Sequence, residues 1–110
     1  MSSLSTHVLD STTGRPAAGM VVRLEVAADV LWTALGSGVT DPDGRLKGWG
    51  DVTLRPGKYR LTFDTGNWFA ERDLECFYPE VIITFTVSDD GHYHVPLLLA
   101  PYAYSTYRGS

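Results

Sequence analysis

Apolar side chains recur at every second position in several stretches of this sequence, and this period limits the fold more than any other feature. Residues 20–27, 59–63 and 81–87 all alternate in this way. Period two is typical of a β-strand that buries one face and exposes the other. Tight-turn signals lie between the stretches, as Asp-Pro-Asp-Gly at 41–44 and Asp-Asp-Gly at 89–91. The pattern predicts an all-β fold in which two sheets pack face to face as a sandwich.

Weaker signals complete a set of about seven or eight strands. Leu4–Asp10 predicts a first strand, and residues 12–16 predict a loop after it. Residues 31–40 predict a strand weakened by two glycines, and two more strands are expected after the turn at 89–91. Mixed charge and low β-propensity place one short helix between Asn67 and Leu74.

The stretch from His92 onward, HYHVPLLLAPYAYSTYRGS, has two faces of different character. One face carries a plain core stripe of Tyr93, Val95, Leu97 and Leu99. The opposite face sets two histidines beside Pro96 and Leu98, which is too polar for a core and too apolar for open solvent. This mixture indicates a surface that is buried against a partner and contains titratable groups. Because a proline removes a ladder donor, we also expect an edge position, a bulge or another local irregularity at Pro96.

Composition narrows the functional classes. The chain of 110 residues has nine basic and thirteen acidic side chains and a formal charge of −4. That balance argues against a nucleic-acid or anionic-membrane partner. The length suits a single domain over residues 1–110 that oligomerisation would help to stabilise.

The single cysteine, Cys76, excludes an internal disulfide and suits a reducing compartment. The opening MSSLSTHVLD has neither a basic start nor an apolar run, so we expect no secretory signal and a cytoplasmic location.

Three separated blocks carry a resemblance to a known family. The first is LSTHVLD, followed by Gly14-Arg15-Pro16-Ala17; the second is Asp43-Gly44-Arg45; the third is the stretch from His92 to Ser110. In all three the sequence resembles the 5-hydroxyisourate hydrolases, the transthyretin-related enzymes of urate degradation. It departs from the family's final stretch at Ala100 and Ala103, where the family has serines. Agreement in blocks at both ends and in the middle extends the resemblance to nearly the whole chain.

The resemblance implies a transthyretin-like sandwich, assembled as a homotetramer, that hydrolyses 5-hydroxyisourate to 2-oxo-4-hydroxy-4-carboxy-5-ureidoimidazoline without a metal or cofactor. It also implies roles for particular residues. The catalytic residues it implies are His7, Arg45 and His94. Those expected to bind or enclose the substrate are His7, Arg45, Tyr107, Arg108 and Ser110. Residues expected at the rim or behind the site are His92 and Ser105.

Without the resemblance, other interpretations of these residues stay open. Arg45 would be a solvated turn residue, and His7 a half-exposed histidine with a satisfied hydrogen bond. His92 and His94 also have a metal-ligand spacing, and His7 would supply the third imidazole of a zinc hydrolase. A non-enzymatic alternative is a transthyretin-like small-molecule carrier. The carriers lack the Tyr-Arg-Gly-Ser ending and the histidine and arginine pattern of His7, Arg45 and His94.

Overall fold

The computed structural model describes residues 2–50 and 52–110, and it confirms the predicted all-β sandwich with one short helix. In chain order the elements are β1 (Ser3–Asp10), β2 (Arg15–Pro16), β3 (Val21–Ala28), β4 (Leu31–Val39), β5 (Arg45–Leu46), β6 (Gly57–Phe63), α1 (Thr65–Ala70), β7 (Val81–Val87), β8 (His92–Ala100) and β9 (Ala103–Thr106). Two of these strands, β2 and β5, have only two residues each; β2 lies in the predicted loop at 12–16, and β5 directly follows the predicted turn at 41–44. A strand of two residues is too short to show an alternation of apolar and polar side chains in the sequence.

The strands form two sheets. One sheet has the order β2-β1-β8-β9, with β5 also paired to β1, and the other has the order β4-β3-β6-β7. The β1–β8 pair is parallel, whereas the other pairs among the described strands are antiparallel. The first strand of the chain therefore lies beside the long strand that begins at His92.

The core lies between the sheets and consists of the side chains that alternate inward. On β8 the predicted stripe is confirmed, since Tyr93, Val95, Leu97 and Leu99 are all buried. The inward residues of β3, β6 and β7 face them and include fully buried Val22, Leu24, Leu61 and Phe63. On β1 the sequence did not decide which face is inward; Leu4, Thr6 and Val8 are buried. The other face of β1 and β8 therefore points away from the core.

Helix α1 occurs in the expected region but with different bounds. It runs from Thr65 to Ala70, so the prediction of Asn67–Leu74 was wrong at both ends. The chain leaves the helix because Asp73 adopts a left-handed conformation, with φ of 57°. Leu74 N–H then donates to Phe69 O over 3.0 Å and Asp73 N–H donates to Ala70 O over 3.0 Å, which is the Schellman ending of a helix. Within the described residues, no helix is both long and apolar enough to cross a membrane.

Pro96 disturbs the sheet on one side only. The prediction of an edge or bulge was wrong on the β1 side, where the register with β8 runs unbroken from Ser3–His92 to Asp10–Leu99. On the other side, β9 pairs with β8 as far as Leu97–Thr106, and an isolated bridge joins His94 to Gly109 in the same register. The lapse between them coincides with the proline, which has no N–H to donate.

Candidate active site

The predicted site residues of β1 and β8 lie on the outer face of their sheet. In the parallel register Ser5 lies beside His94 and His7 lies beside Pro96. Side chains of directly paired residues point to the same face of a sheet. Ser5, His7 and His94 are each half-buried. The core-facing alternation of the same strands therefore determines that the histidines point outward.

Arg45 reaches this face through the turn that precedes it. The Asp41 side chain accepts hydrogen bonds from the backbone N–H groups of Asp43 and Arg45, each over 2.9 Å. Gly44 has φ of +76°, and a Cβ there would collide with the carbonyl oxygen of Val8. Only glycine fits this close approach of the turn to β1.

The short strand β5 then pairs with β1, and this pairing places Arg45 directly opposite His7. His94 lies one strand over and two residues along from His7, roughly 8 Å away between Cα atoms on ordinary strand spacings. Arg45 is exposed, so its guanidinium group is available to a ligand. The structure thus brings His7, Arg45 and His94 together on one face.

His94 is held at both sides of its strand. Its Nδ1 lies 2.8 Å from the Ser5 Oγ, and its carbonyl oxygen accepts the N–H of Gly109 over 2.9 Å. Burial lowers the pKa of His94 below its usual 6.5, and the positive charges that His92, Arg45 and His7 can carry lower it further, whereas a hydrogen bond with the backbone of Ser5 raises it. A neutral imidazole is the form that can accept a proton.

His92, predicted as a rim or supporting residue, lies beside His94 on the exposed end of β8. The two rings are stacked, with centroids 6.4 Å apart and planes 16° apart. The His92 Nδ1 lies 2.6 Å from the Ser3 Oγ, and its Nε2 lies 2.9 Å from the Ser5 Oγ. Ser5 therefore contacts both histidines.

The predicted site residues in β9 and after it lie farther apart from one another. Ser105 is exposed and pairs with Leu98, which places it on the histidine face. Tyr107 is 58% exposed, and Ser110 is exposed beyond the Gly109 bridge. The Arg108 guanidinium carbon lies 4.8 Å from the ring centroid of Tyr93, which is a core-facing residue. In the single chain, Arg108 is therefore on the opposite side of β8 from the imidazole of His94.

A cleft of about 300 Å³ opens between the sheets beside this segment. Its lining includes His94, Tyr107 and Arg108 but not His7 or Arg45. The remainder of its wall is mainly apolar and comes from β7, β8 and the last residue of β9. The cleft therefore lies beside the face that carries His7 and Arg45, and His94 borders both.

Comparison with known proteins identifies the family of this chain. Residues 4–109 match the HIUase/Transthyretin family. The chain belongs to that family. A 5-hydroxyisourate hydrolase of Salmonella dublin is 50% identical over 109 residues, which cover 97% of this chain and 80% of the relative.

Two solved structures with this fold show that backbone shape alone does not distinguish the hydrolases from the transthyretins. The 5-hydroxyisourate hydrolase of Klebsiella pneumoniae has a TM-score of 0.89 and 42% identity, and the match covers 100% of both chains. Sea bream transthyretin in complex with thyroxine also has a TM-score of 0.89, but its identity is 29% and the match covers 96% of this chain and 93% of the other. Backbone shape is equal in the two comparisons, so the side chains of the site must decide the function.

Analysis of the sequence gave no role to Ser3 and Ser5, which contact the histidines. Gly109, part of the Tyr-Arg-Gly-Ser ending in the resemblance, lies so close to His94 that a Cβ would overlap its ring. Period two does place Ser3 and Ser5 on the face of His7. No local signal could show that this face lies beside β8.

The zinc interpretation needs three imidazoles that converge on one point. Across residues 2–50 and 52–110, no group of three or more histidine, cysteine, aspartate or glutamate side chains is arranged to hold a metal ion. The two histidines of β8 instead stack and share hydrogen bonds with serines. The donor set therefore does not fit a three-histidine zinc site.

Proposed function

We propose that this protein hydrolyses 5-hydroxyisourate to 2-oxo-4-hydroxy-4-carboxy-5-ureidoimidazoline, a step of urate degradation. The observation that carries the proposal is the juxtaposition of Arg45 and His7 on paired strands, with His94 diagonal to them on the next strand. The Salmonella and Klebsiella relatives, which bear the name of this hydrolase, support the same function. We assign the activity to one domain over residues 1–110.

In the mechanism that we propose, His94 activates a water molecule. Its lowered pKa keeps the imidazole neutral, and its Nε2 is the ring nitrogen that Ser5 leaves free. As Nε2 takes a proton from water, the oxygen adds to the carbonyl carbon of the six-membered ring. The tetrahedral intermediate then breaks the C–N bond, and the departing nitrogen receives a proton from Nε2–H. Water is thus consumed and the ring opens, with no net change in the enzyme.

Arg45 and His7 act on the substrate's oxygen in this mechanism. A guanidinium group presents a planar fork of N–H donors, which suits two neighbouring oxygen or nitrogen acceptors of a flat heterocycle. The same positive charge stabilises the oxyanion that develops as water adds. His7, directly opposite Arg45, orients the attacked carbonyl or the water.

Tyr107 and Ser110 complete the pocket in our proposal, whereas Arg108 lies against Tyr93 on the other side of β8, and the protein acts as a homotetramer. The face around His7 is open in the single chain, with Leu9 and Leu98 half-buried beside it. A second copy would cover these side chains and enclose the substrate. Pro96 needs no such partner, because it is already buried within one chain. The lone Cys76 suits a reducing compartment, and we place the protein in the cytoplasm.

A carrier of small molecules is the second candidate, since the match to thyroxine-bound sea bream transthyretin is equally good in backbone shape. A carrier would have no use for the two histidines and the arginine that converge on one face. The higher identity to the hydrolases than to that transthyretin also favours the enzyme.

The deciding experiment generates 5-hydroxyisourate freshly from urate with urate oxidase and follows its ultraviolet decay with and without this protein. We expect strong acceleration by the wild-type protein and little by His94→Asn. Thyroxine binding, measured by calorimetry on the same preparation, tests the carrier. Absence of acceleration by a folded wild-type protein would overturn the proposed hydrolysis.

A further inference from the structure

Four side chains of β1 and β8 form a continuous series of hydrogen-bonding groups, which we call the serine–histidine chain. It runs from Ser3 Oγ to His92 Nδ1 over 2.6 Å, from His92 Nε2 to Ser5 Oγ over 2.9 Å, and from Ser5 Oγ to His94 Nδ1 over 2.8 Å. Ser3 and His92 are exposed, whereas Ser5 and His94 are half-buried. The serine–histidine chain therefore connects solvent, at Ser3, with the proposed base, His94.

The parallel register creates this arrangement. Ser3 lies beside His92, and Ser5 lies beside His94, on directly paired positions. The stacked imidazoles leave the Ser5 hydroxyl within reach of one nitrogen from each ring. An antiparallel or shifted register would separate these pairs.

The Ser5 hydroxyl has one hydrogen, and this restricts the tautomers of both histidines. Ser5 can donate to only one of its two neighbouring nitrogens, so the other nitrogen must donate to Ser5. In the first arrangement His94 Nδ1–H donates to Ser5, Ser5 donates to His92 Nε2, and His92 Nδ1–H donates to Ser3. In the second arrangement every one of these bonds is reversed, and both histidines carry the proton on Nε2. In both arrangements the two neutral rings have the same tautomer. If both nitrogens instead donated to the two lone pairs of the Ser5 oxygen, the tautomers would be opposite and the series would be interrupted at Ser5.

We propose that the serine–histidine chain is a proton relay for the base, an inference that rests on the proposed hydrolysis. As His94 Nε2 takes a proton from water, Nδ1–H passes its proton to Ser5, Ser5 passes its own to His92 Nε2, and His92 Nδ1–H passes its own to Ser3. Ser3 releases its hydroxyl proton to solvent. When the C–N bond breaks, His94 Nε2–H gives its proton to the departing nitrogen and the same transfers run in reverse. Every group ends with the protons that it had at the start.

The surroundings of His94 explain why a relay is useful. Arg45 on β5, His7 on β1 and His92 on β8 all carry or can carry positive charge near the ring. Partial burial and, after it, these charges lower the pKa of His94, so an imidazolium ion at this position is disfavoured. The relay moves the proton away and leaves the ring neutral. Ser5 and His92 would then be positioning residues that act through His94 and do not touch the substrate.

The test compares Ser5→Ala, which breaks the relay in the middle, with His92→Phe, which keeps a ring of similar shape and removes both nitrogens. The matched control is Ser5→Thr, which retains the hydroxyl. We expect kcat to fall by roughly tenfold or more in Ser5→Ala and in His92→Phe, with KM within about twofold, because the loss is of proton transfer and not of binding. The double variant should lose little beyond either single variant, since both interrupt one pathway. Ser5→Thr should retain most of the wild-type kcat.

An orientation role for Ser5 alone predicts a different pattern. His92→Phe would then keep wild-type kcat while Ser5→Ala loses it, and that result would overturn the relay. A further readout does not depend on hydrolysis: ¹⁵N NMR of the wild-type protein, above the pKa values of the two rings, should show His92 and His94 in the same tautomer. Opposite tautomers would refute the relay even if the protein is active. If the wild-type protein does not accelerate 5-hydroxyisourate decay, the proposed function fails, and the tautomer measurement still decides the hydrogen-bonded chain.

Discussion

Replacing Gly109 by alanine adds one methyl group next to the His94 ring, so this substitution tests directly whether the position of His94 matters for activity. A Cβ built on Gly109 lies 3.1 Å from the His94 Cγ and 3.3 Å from its Cβ, and it overlaps the Cδ2 of the ring. Gly109 is not among the glycines with positive φ, so alanine is compatible with its backbone. The change Gly109→Ala therefore acts through its contact with His94 and not through strain in its own backbone.

The size of the effect follows from the contact distances. Carbon atoms in contact are ordinarily about 3.5–4.0 Å apart, so the edge of the ring and the Gly109 backbone must separate by roughly 1 Å. A displacement of that size in a catalytic group lowers the rate about 100-fold. The same separation weakens the 2.9 Å bond from Gly109 N–H to His94 O, which anchors the segment with Tyr107. We expect kcat/KM to fall by about two orders of magnitude.

The assay is the ultraviolet decay of freshly generated 5-hydroxyisourate, measured beside thermal unfolding. The matched control is Gly48→Ala, because a Cβ at Gly48 meets nothing within 4 Å. It should keep wild-type kcat/KM. Both variants should unfold within a few degrees of the wild type, since neither position is in the core. Wild-type kcat/KM in Gly109→Ala would refute the proposed placement of His94 in the mechanism.

Four further predictions concern the proposed site. Replacing His7 or His94 by Asn should lower kcat by roughly 10²- to 10⁴-fold without loss of fold, as seen by kinetics and circular dichroism, and near-normal turnover would remove that residue from the mechanism. Arg45→Lys should lower kcat/KM by roughly tenfold or more because lysine lacks the planar fork, whereas wild-type efficiency would indicate a solvated turn residue. Stopping the chain after Thr106 should abolish activity while prolonged chelation of the intact protein changes nothing; metal analysis with chelator-sensitive turnover would favour the zinc alternative. Because the pKa of His94 is lowered, its neutral form persists to more acidic pH, so the acidic limb of kcat/KM should lie below pH 6.5, and a limb above that value would contradict His94 as the base.

Period two predicted which residues of the central strands face inward, because burial of one face is a local property of a strand. Leu61 and Phe63 on β6 and Leu97 and Leu99 on β8 are buried as that period requires. On β1 the alternation did not show which face is buried, because the buried residue Thr6 is no more apolar than its neighbours. The Thr6 hydroxyl is satisfied by donating to Val95 O over 2.6 Å, a partner that only the tertiary fold supplies.

The sequence predicted the main residues of the proposed site but not the strand pairing and hydrogen bonds that join them. The resemblance named His7, Arg45 and His94, and the sheet brings them to one face. It did not reveal Ser5, whose significance depends on a parallel pairing with His94. Pairing between strands is set by long-range packing and register, and neither is encoded in the spacing along one strand. For the same reason the end of α1 at Asp73 could not be located from helix propensity.

The parallel pairing of β1 with β8 also makes the site a late product of folding. The Thr6–Val95 contact joins residues 89 apart in the chain, and closing a flexible loop of that length costs about 4 kcal/mol of chain entropy on the (3/2)RT ln n scale. Hairpins such as β3–β4 close far shorter loops and face a smaller barrier. During synthesis β1 leaves the ribosome long before β8, its neighbour in the sheet, has been made. A nascent or truncated chain without β8 therefore has His7 and Arg45 but lacks His94, the proposed base, and the proposed site is complete only when β8 pairs with β1.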